Sequence, residues 1–338
     1  MTARLAAIFG CAEARLLADE RDFYRDVQPA GFILFARNVE DPSQLARLTA
    51  DLREAVGWNA PVLVDQEGGR VQRLRAPHWR EWAPPLDTVM SAPDTPTAAK
   101  IMGLRMRIIA QELRAVGIDA DCAPLGDLAL DETHPFLRNR CYGTSVDQVI
   151  AVARAVADGL MAGGVLPVMK HLPGHGRSYT DTHHALPTVT ADRDTLVAED
   201  YAPFRALNGL PMAMTGHLVF AACDAERPAT QSPEMIRVIR EEIGFAGLLM
   251  TDDLNMQALS GTLAERAARA IAAGCDIALH CKGDMGEMLQ VASACGELTP
   301  AAQARLQAAL ARRPASDTVD IAALEADLAA LSRGGAHG

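Results

Sequence analysis

Aromatic residues are scarce in this 338-residue chain, at 4%. Long apolar runs are missing too: none approaches the roughly 18 residues that cross a bilayer, so no membrane span is expected. Positive charge is in short supply, with 32 Lys and Arg against 43 Asp and Glu and a net charge of −11. A chain without a basic surplus has little to neutralise phosphates, which argues against nucleic acid as a partner. The seven cysteines are odd in number and lack framework spacing, and Cys275 and Cys281 stand too far apart for a CxxC pair. That pattern fits a reducing compartment. The apolar run 5–9 is too short for a signal-peptide core and meets acids soon after. No GxGxxG follows a strand-like run, which weakens a dinucleotide reading. No Ser/Gly linker or compositional shift divides the chain, and no short-period repeat is visible. These absences leave a cytoplasmic protein with a small-molecule substrate.

What is present is a large stock of core-forming residues, 49% of the chain. Short apolar runs at 5–9, 31–35, 61–65, 118–124, 165–170, 211–215, 247–251 and 276–279 alternate with amphipathic helical stretches. The runs lack period-two alternation, as strands covered on both faces do. Helix signals lie between them. Asp41-Pro42 opens one helix, whose apolar face carries Leu45, Leu48, Leu52 and Val56. Ile101, Leu104, Ile108 and Leu113 line another that stops at Gly117. Ser145 and Gln148 form an expected capping box. Ser232-Pro233 opens a helix ending near Gly244, and Thr299-Pro300 opens a C-terminal one. Eight strands alternating with helices predict parallel βα units, and eight is the number that closes a (β/α)8 TIM-type barrel. An open doubly wound sheet is the alternative. One catalytic domain is expected across 1–338, with C-terminal helices over about 300–332 and a tail at 333–338.

In such a barrel, function gathers at the carboxyl ends of the strands. Unusual polar residues fall there: "DQEGGRVQR" after 61–65, "HLPGHG" after 165–170, "GHL" after 211–215 and "DDLNM" after 247–251. Asp252 follows a buried run directly and is suited to be a nucleophile or a metal ligand. Asp253 has a second reading, as the cap of the next helix. Four of the nine histidines lie in "KHLPGHGRSYTDTHHALP", residues 170–187. His171-x3-His175 looks like a metal pair, with Asp181 and His183 as further ligands. A dependable HxxxH site needs a helix to align both imidazoles, and Pro173 and Gly174 break that register. Asp181-x-His183 has another meaning. A carboxylate two residues from a His can bond one ring nitrogen and raise the basicity of the other. His175 reads as a loop-bonding histidine, and His184 as structural or a bystander.

These stretches carry a resemblance. "GFILFARNV" (31–39), "VDQEGGRVQRL" (64–74), "KHLPGHG" (170–176), "DTHHALP" (181–187) and "TDDLNM" (251–256) resemble family-3 glycoside hydrolases. More narrowly, they are similar to the bacterial single-domain β-N-acetylhexosaminidases of peptidoglycan recycling. The resemblance spans about residues 5–330. It implies Asp252 as nucleophile, His183 as acid/base and Asp181 as its dyad partner. It also implies sugar binding by Asp65, Arg73, Arg140, Lys170 and His171, with no metal or organic cofactor. The implied substrate is β-linked GlcNAc on 1,6-anhydro-MurNAc, with or without peptide, and the implied state a monomer or weak dimer. Leu172, Thr182 and Cys141 depart from the residues usual at those places; none of the three changes removes a reactive group.

The chemistry suits these residues. A retaining glycosidase needs a carboxylate beneath the anomeric carbon and an acid near the leaving oxygen. Lys170 can help ionise Asp252 or bond a sugar hydroxyl. An ordinary His already titrates near neutrality. Gly174 and Gly176 are expected to let the loop move His183 over substrate. Asp65 can contact sugar or hold Arg73. A metal-dependent hydrolase built on His171, His175, Asp181 and Asp252 remains a rival, as does a non-catalytic sugar-binding barrel. A β-glucosidase is a third option. Its relatives generally bring an acid from a second domain, for which this chain is too short.

Overall fold

The computed structural model describes residues 4–179, 186–313 and 319–334. Eight parallel strands close into a barrel: β1 (Leu5–Gly10), β2 (Pro29–Leu34), β3 (Val62–Val64), β4 (Ala120–Asp121), β5 (Leu166–Leu172), β6 (Met212–Thr215), β7 (Leu248–Asp253) and β8 (Ile277–His280). Their order around the barrel is the order in the chain, with β1 pairing both β2 and β8. A helical segment follows each strand: α1 (Ala18–Val27), α2 (Pro42–Val56), α3 (Thr95–Ala115), α4 (Val146–Ala162), α5 (193–206), α6 (233–242), α7 (Leu263–Ala273) and α8 (Met285–Cys295). The closed barrel is therefore the architecture, and the open sheet is excluded.

The missing alternation now has its cause. Ile8, Ile33, Leu63, Val168, Met212, Met250 and Leu279 fill the lumen. Their strand neighbours Phe9, Phe32, Val62, Val64, Met169, Ala213 and Leu249 bury against the helices. Both faces of each strand are dry, so both must be apolar. Expected strand 118–124 shrinks to two residues. The Asp119 side chain accepts the Val62 N–H at 2.8 Å in place of a ladder bond, and Pro124 has no N–H to offer.

Helix starts follow local chemistry. Asp41, Ser232 and Thr299 accept the N–H groups of Gln44, Met235 and Ala302. Ser145 does precede α4, but its side chain makes no cap. Gln148 instead lies over Gly143 and accepts the Thr144 N–H at 3.2 Å, so the expected capping box does not form. Asp253 caps no helix either: α7 begins ten residues later, behind Thr262.

Two further helices finish the described chain, α9 (Pro300–Ala311) and α10 (Ile321–Gly334). Leu306 and Ala309 of α9 join the lumen cluster. Arg305 pairs with Asp276 at the start of β8, and Arg313 with Asp119 at the start of β4. Among the described residues, the amino-terminal mouth of the barrel is thereby covered, which leaves the carboxyl-terminal mouth for a ligand. The tail expected at 333–338 begins inside α10, which runs to Gly334.

Candidate active site

At the open mouth lies a cleft enclosing about 770 Å³, its entrance included. Asp65, Arg73, Arg140, Lys170, His171, His175, Asp252 and Asp253 line it, with Phe35 and Phe136 as aromatic walls. All five residues expected to bind sugar thus meet the expected nucleophile in one cleft. Asp181, His183 and His184 lie outside the described residues.

Two irregularities in the strands explain how the cleft gathers so many groups. Consecutive residues of a regular strand point to opposite faces. On β5, Met169 pairs with Ala213 and Leu172 with Thr215, so three steps on β5 match two on β6. On β7, Met250 pairs with Ile277 and Asp253 with Leu279, again three steps against two. Such bulges re-aim side chains. As a result Lys170 and His171 both line the cleft, and so do Asp252 and Asp253.

The polar floor is a chain of ion pairs. Arg73 donates to Asp65 at 2.8 Å, and Lys170 donates to the other Asp65 oxygen at 2.8 Å. Lys170 also reaches Glu67 at 2.6 Å. Arg140 grips Glu67 with two donors, each at 2.8 Å. The order Arg73–Asp65–Lys170–Glu67–Arg140 ties the loops after β3 and β4 to β5. Burial pushes the Glu67 carboxyl up, but Arg140 and Lys170 outweigh it and bring it to about 2. Asp65 is likewise held far below the carboxylate range, against its burial, by Lys170 and Arg73. Burial lowers Lys170 and Arg140, yet these carboxylates raise both above their ordinary values. Every member is charged at neutral pH. Asp65 does hold Arg73, the second of its two readings, and it also lines the cleft.

The hairpin after β3 sets this register. Gln66 accepts the N–H groups of Arg73 and Leu74, fastening Arg73 next to the floor. Gly68 has φ of 99°, and the Arg105 guanidinium occupies the space a Cβ would need.

Asp252 accepts the backbone N–H of Asp253 at 2.8 Å. Burial raises its carboxyl, but the net shift is downward under His171, His217, that N–H group and Lys170. A lowered carboxyl is ionised, as a nucleophile must be. Asp253 differs. Burial and the neighbouring Asp252 charge push it up to about 6, against the Asn255 and Cys281 N–H groups. Its hydrogen bonds fix the turn after β7. His175 is buried, its backbone N–H bonds Asp127 at 2.7 Å, and burial pushes its imidazole down to about 4. That agrees with a loop-bonding histidine.

Gly174 and Gly176 do not read as hinges. Both are buried; Gly174 takes φ of 141°, and a Cβ on Gly176 would run into the Leu128 backbone. Close packing accounts for both. Among the described residues, no three His, Cys, Asp or Glu side chains gather as a metal site.

Three residues were not singled out from the sequence. Glu67 is fully buried and holds two cations. Asp127 holds His171 at 2.8 Å. His217 bonds Thr230 at 2.8 Å and the Asp253 carbonyl at 3.1 Å. Glu67 was inside a quoted motif, and His217 inside "GHL". For Asp127 the only signal was an acid soon after the fourth strand.

The chain matches the glycosyl hydrolase family 3 N-terminal domain over residues 6–313. It belongs to that family. A β-hexosaminidase of Methylococcus capsulatus is 35% identical over 316 residues, which cover 91% of this chain and 87% of the relative. One of Psychromonas ingrahamii is 33% identical over 274 residues, 80% of each chain. Among solved structures, NagZ from Neisseria gonorrhoeae superimposes with a TM-score of 0.85 at 29% identity, covering 99% of both chains. A family-3 β-N-acetylglucosaminidase from Paenibacillus superimposes with a TM-score of 0.86 at 28% identity, over 97% of this chain and 67% of that one. The resemblance in the motifs is thus a relation over the whole barrel, and this family-3 chain is a glycoside hydrolase.

Breaking the ionic floor has a measurable cost. Glu67→Gln leaves Arg140 and Lys170 short of a buried counter-charge, a change worth about 3–5 kcal/mol. Calorimetry at neutral pH should show a lowered Tm. Acid should reproduce the effect in the wild type. Glu67 is held below its ordinary 4.5, so its stabilisation is complete above that pH and drains away as pH falls towards about 2. The Gln variant should show a flatter fall over that window. An unchanged Tm and an unchanged acid limb would deny Glu67 this role.

Proposed function

We propose that this chain is a retaining exo-β-N-acetylglucosaminidase that removes β-linked GlcNAc from 1,6-anhydro-MurNAc muropeptides. One observation carries the reading: the Asp252 carboxylate lines the same carboxyl-end cleft as the paired cations Arg73, Arg140 and Lys170. The names of the relatives, β-hexosaminidase and β-N-acetylglucosaminidase, support the sugar class.

In the proposed reaction Asp252 attacks the anomeric carbon while an acid protonates the leaving oxygen, giving a glycosyl-enzyme that water then hydrolyses. Asp65, Arg73, Arg140, Lys170 and His171 bind the sugar. Their pairing in advance means that few side chains must be ordered when it arrives. Asp181 and His183 supply the acid and then the base. The protein works in the cytoplasm, as a monomer or weak dimer, in cell-wall recycling. No described helix is long and apolar enough to cross a membrane.

A chromogenic β-GlcNAc should be turned over at least about 100-fold faster than its β-glucose analogue, a floor well below the roughly 10⁴-fold by which a site built to hydrogen-bond a polar substituent rejects its absence. Comparable rates on both would point to a glucosidase. Activity should also survive dialysis against EDTA, because Pro173 and Gly174 deny His171 and His175 a shared helical face. Loss that zinc restores would favour the metal-dependent reading.

A further inference from the structure

We infer that Asp127 is the positioning residue that fixes the tautomer of His171 and so presents its Nε2 to the sugar. The inference rests on the proposed reading of His171 as a sugar-binding residue.

Asp127 lies on the loop after β4, fully buried, with no role in the ionic floor. That loop is bound to β5 at the residue before His171: the Gly126 N–H donates to the Lys170 carbonyl at 2.8 Å. Asp127 Oδ1 accepts the His175 backbone N–H at 2.7 Å, and more weakly that of His171 at 3.4 Å. Asp127 Oδ2 lies 2.8 Å from His171 Nδ1.

An ionised carboxylate only accepts hydrogen bonds. The His171 proton must therefore sit on Nδ1. In the neutral ring Nε2 is then the acceptor, free to take a hydrogen bond from a sugar hydroxyl. The ring is also locked from the side. His175 packs edge-on with centroids 5.4 Å apart, and Gly216 approaches the His171 Cβ so closely that its own Cβ would sit 3.3 Å away. Neither contact chooses a tautomer. Only Asp127 does.

Asn at this position inverts the choice. Its amide oxygen must still face the His175 N–H, so its NH2 faces Nδ1. Nδ1 becomes an acceptor, and the proton moves to Nε2. The ring keeps its place, but its hydrogen-bonding sense at the cleft is reversed.

The test uses the full chain carrying 15N-histidine, with His171→Ala identifying the His171 signals. Long-range 15N–1H spectra should show Nδ1–H in the wild type and Nε2–H in Asp127→Asn. Turnover of a chromogenic β-GlcNAc by Asp127→Asn should fall about 10- to 100-fold in kcat/KM, the usual cost of losing a group that orients a functional His. The double variant Asp127→Asn/His171→Ala should be no worse than His171→Ala, since Asp127 acts through the ring. Three results would overturn the inference: Nε2–H already in the wild type, a tautomer switch with kcat/KM within twofold of wild type, or a full additional loss in the double variant. If Asp127→Asn does not fold, the wild-type tautomer still decides. Absence of wild-type turnover would instead sink the proposed function, and the tautomer comparison would still judge Asp127.

Discussion

Asp252→Ala should abolish nearly all turnover while leaving the fold intact. Removing a nucleophile takes away the covalent route, and losses of about 10⁴-fold or more are usual when a central catalytic group goes. Asp252 is only half-buried, and its one described hydrogen bond comes from the next residue's N–H. It holds no distant element in place, so the variant should melt close to the wild type. Asp253→Ala should behave in the opposite way. That side chain ties β7 to β8 through the Cys281 N–H at 3.2 Å. Its loss should lower Tm more than it lowers kcat. Steady-state kinetics and calorimetry on both variants separate the two roles. Equal losses of activity with equal losses of stability would remove the distinction between the neighbouring acids.

His183→Ala should lose activity according to the leaving group. A sugar alkoxide leaves poorly without a proton, and loss of the general acid should cost about 10²- to 10⁴-fold on such a substrate. A nitrophenolate leaves with little help, so its glycosylation step should suffer far less. Hydrolysis of the intermediate still needs a base and should become limiting. Azide needs no base, so it should speed turnover and yield a β-glycosyl azide. Asp181→Ala should resemble His183→Ala, and the double variant should be little worse than either, because the two act as a unit. Equal losses on good and poor leaving groups, with no azide adduct, would remove His183 from the acid/base role.

Much of this was legible in the residues. Most strands stood out as apolar runs because burial on both faces leaves few polar positions to blur them; β4 was the least legible, since its run carries the buried Asp119 and Asp121 and only two residues pair as strand. The helix starts at Asp41, Ser232 and Thr299 were legible because a cap is local chemistry between residues three apart. Ser145 failed for the same local reason, since Gln148 found a nearer N–H at Thr144. The cleft residues were recognisable because Asp65, Lys170, His171 and Asp252 directly follow or end strands. Their partners were not. Glu67 bonds Arg140, 73 positions away, and Asp127 bonds His171, 44 positions away. Such pairs depend on barrel closure, which no spacing in the sequence records. The bulges on β5 and β7 were equally hidden, because a register shift of one residue leaves the hydrophobic pattern of so short a strand unchanged.

Trapping the intermediate tests the central claim most directly. A 5-fluoro glycosyl fluoride of GlcNAc should inactivate the wild type in step with the growth of one covalent adduct. Digestion and tandem mass spectrometry should place that adduct on Asp252, within the segment 251–256. An adduct on Asp253 or elsewhere, or turnover of the reagent with no adduct at all, would contradict a glycosyl-enzyme on Asp252.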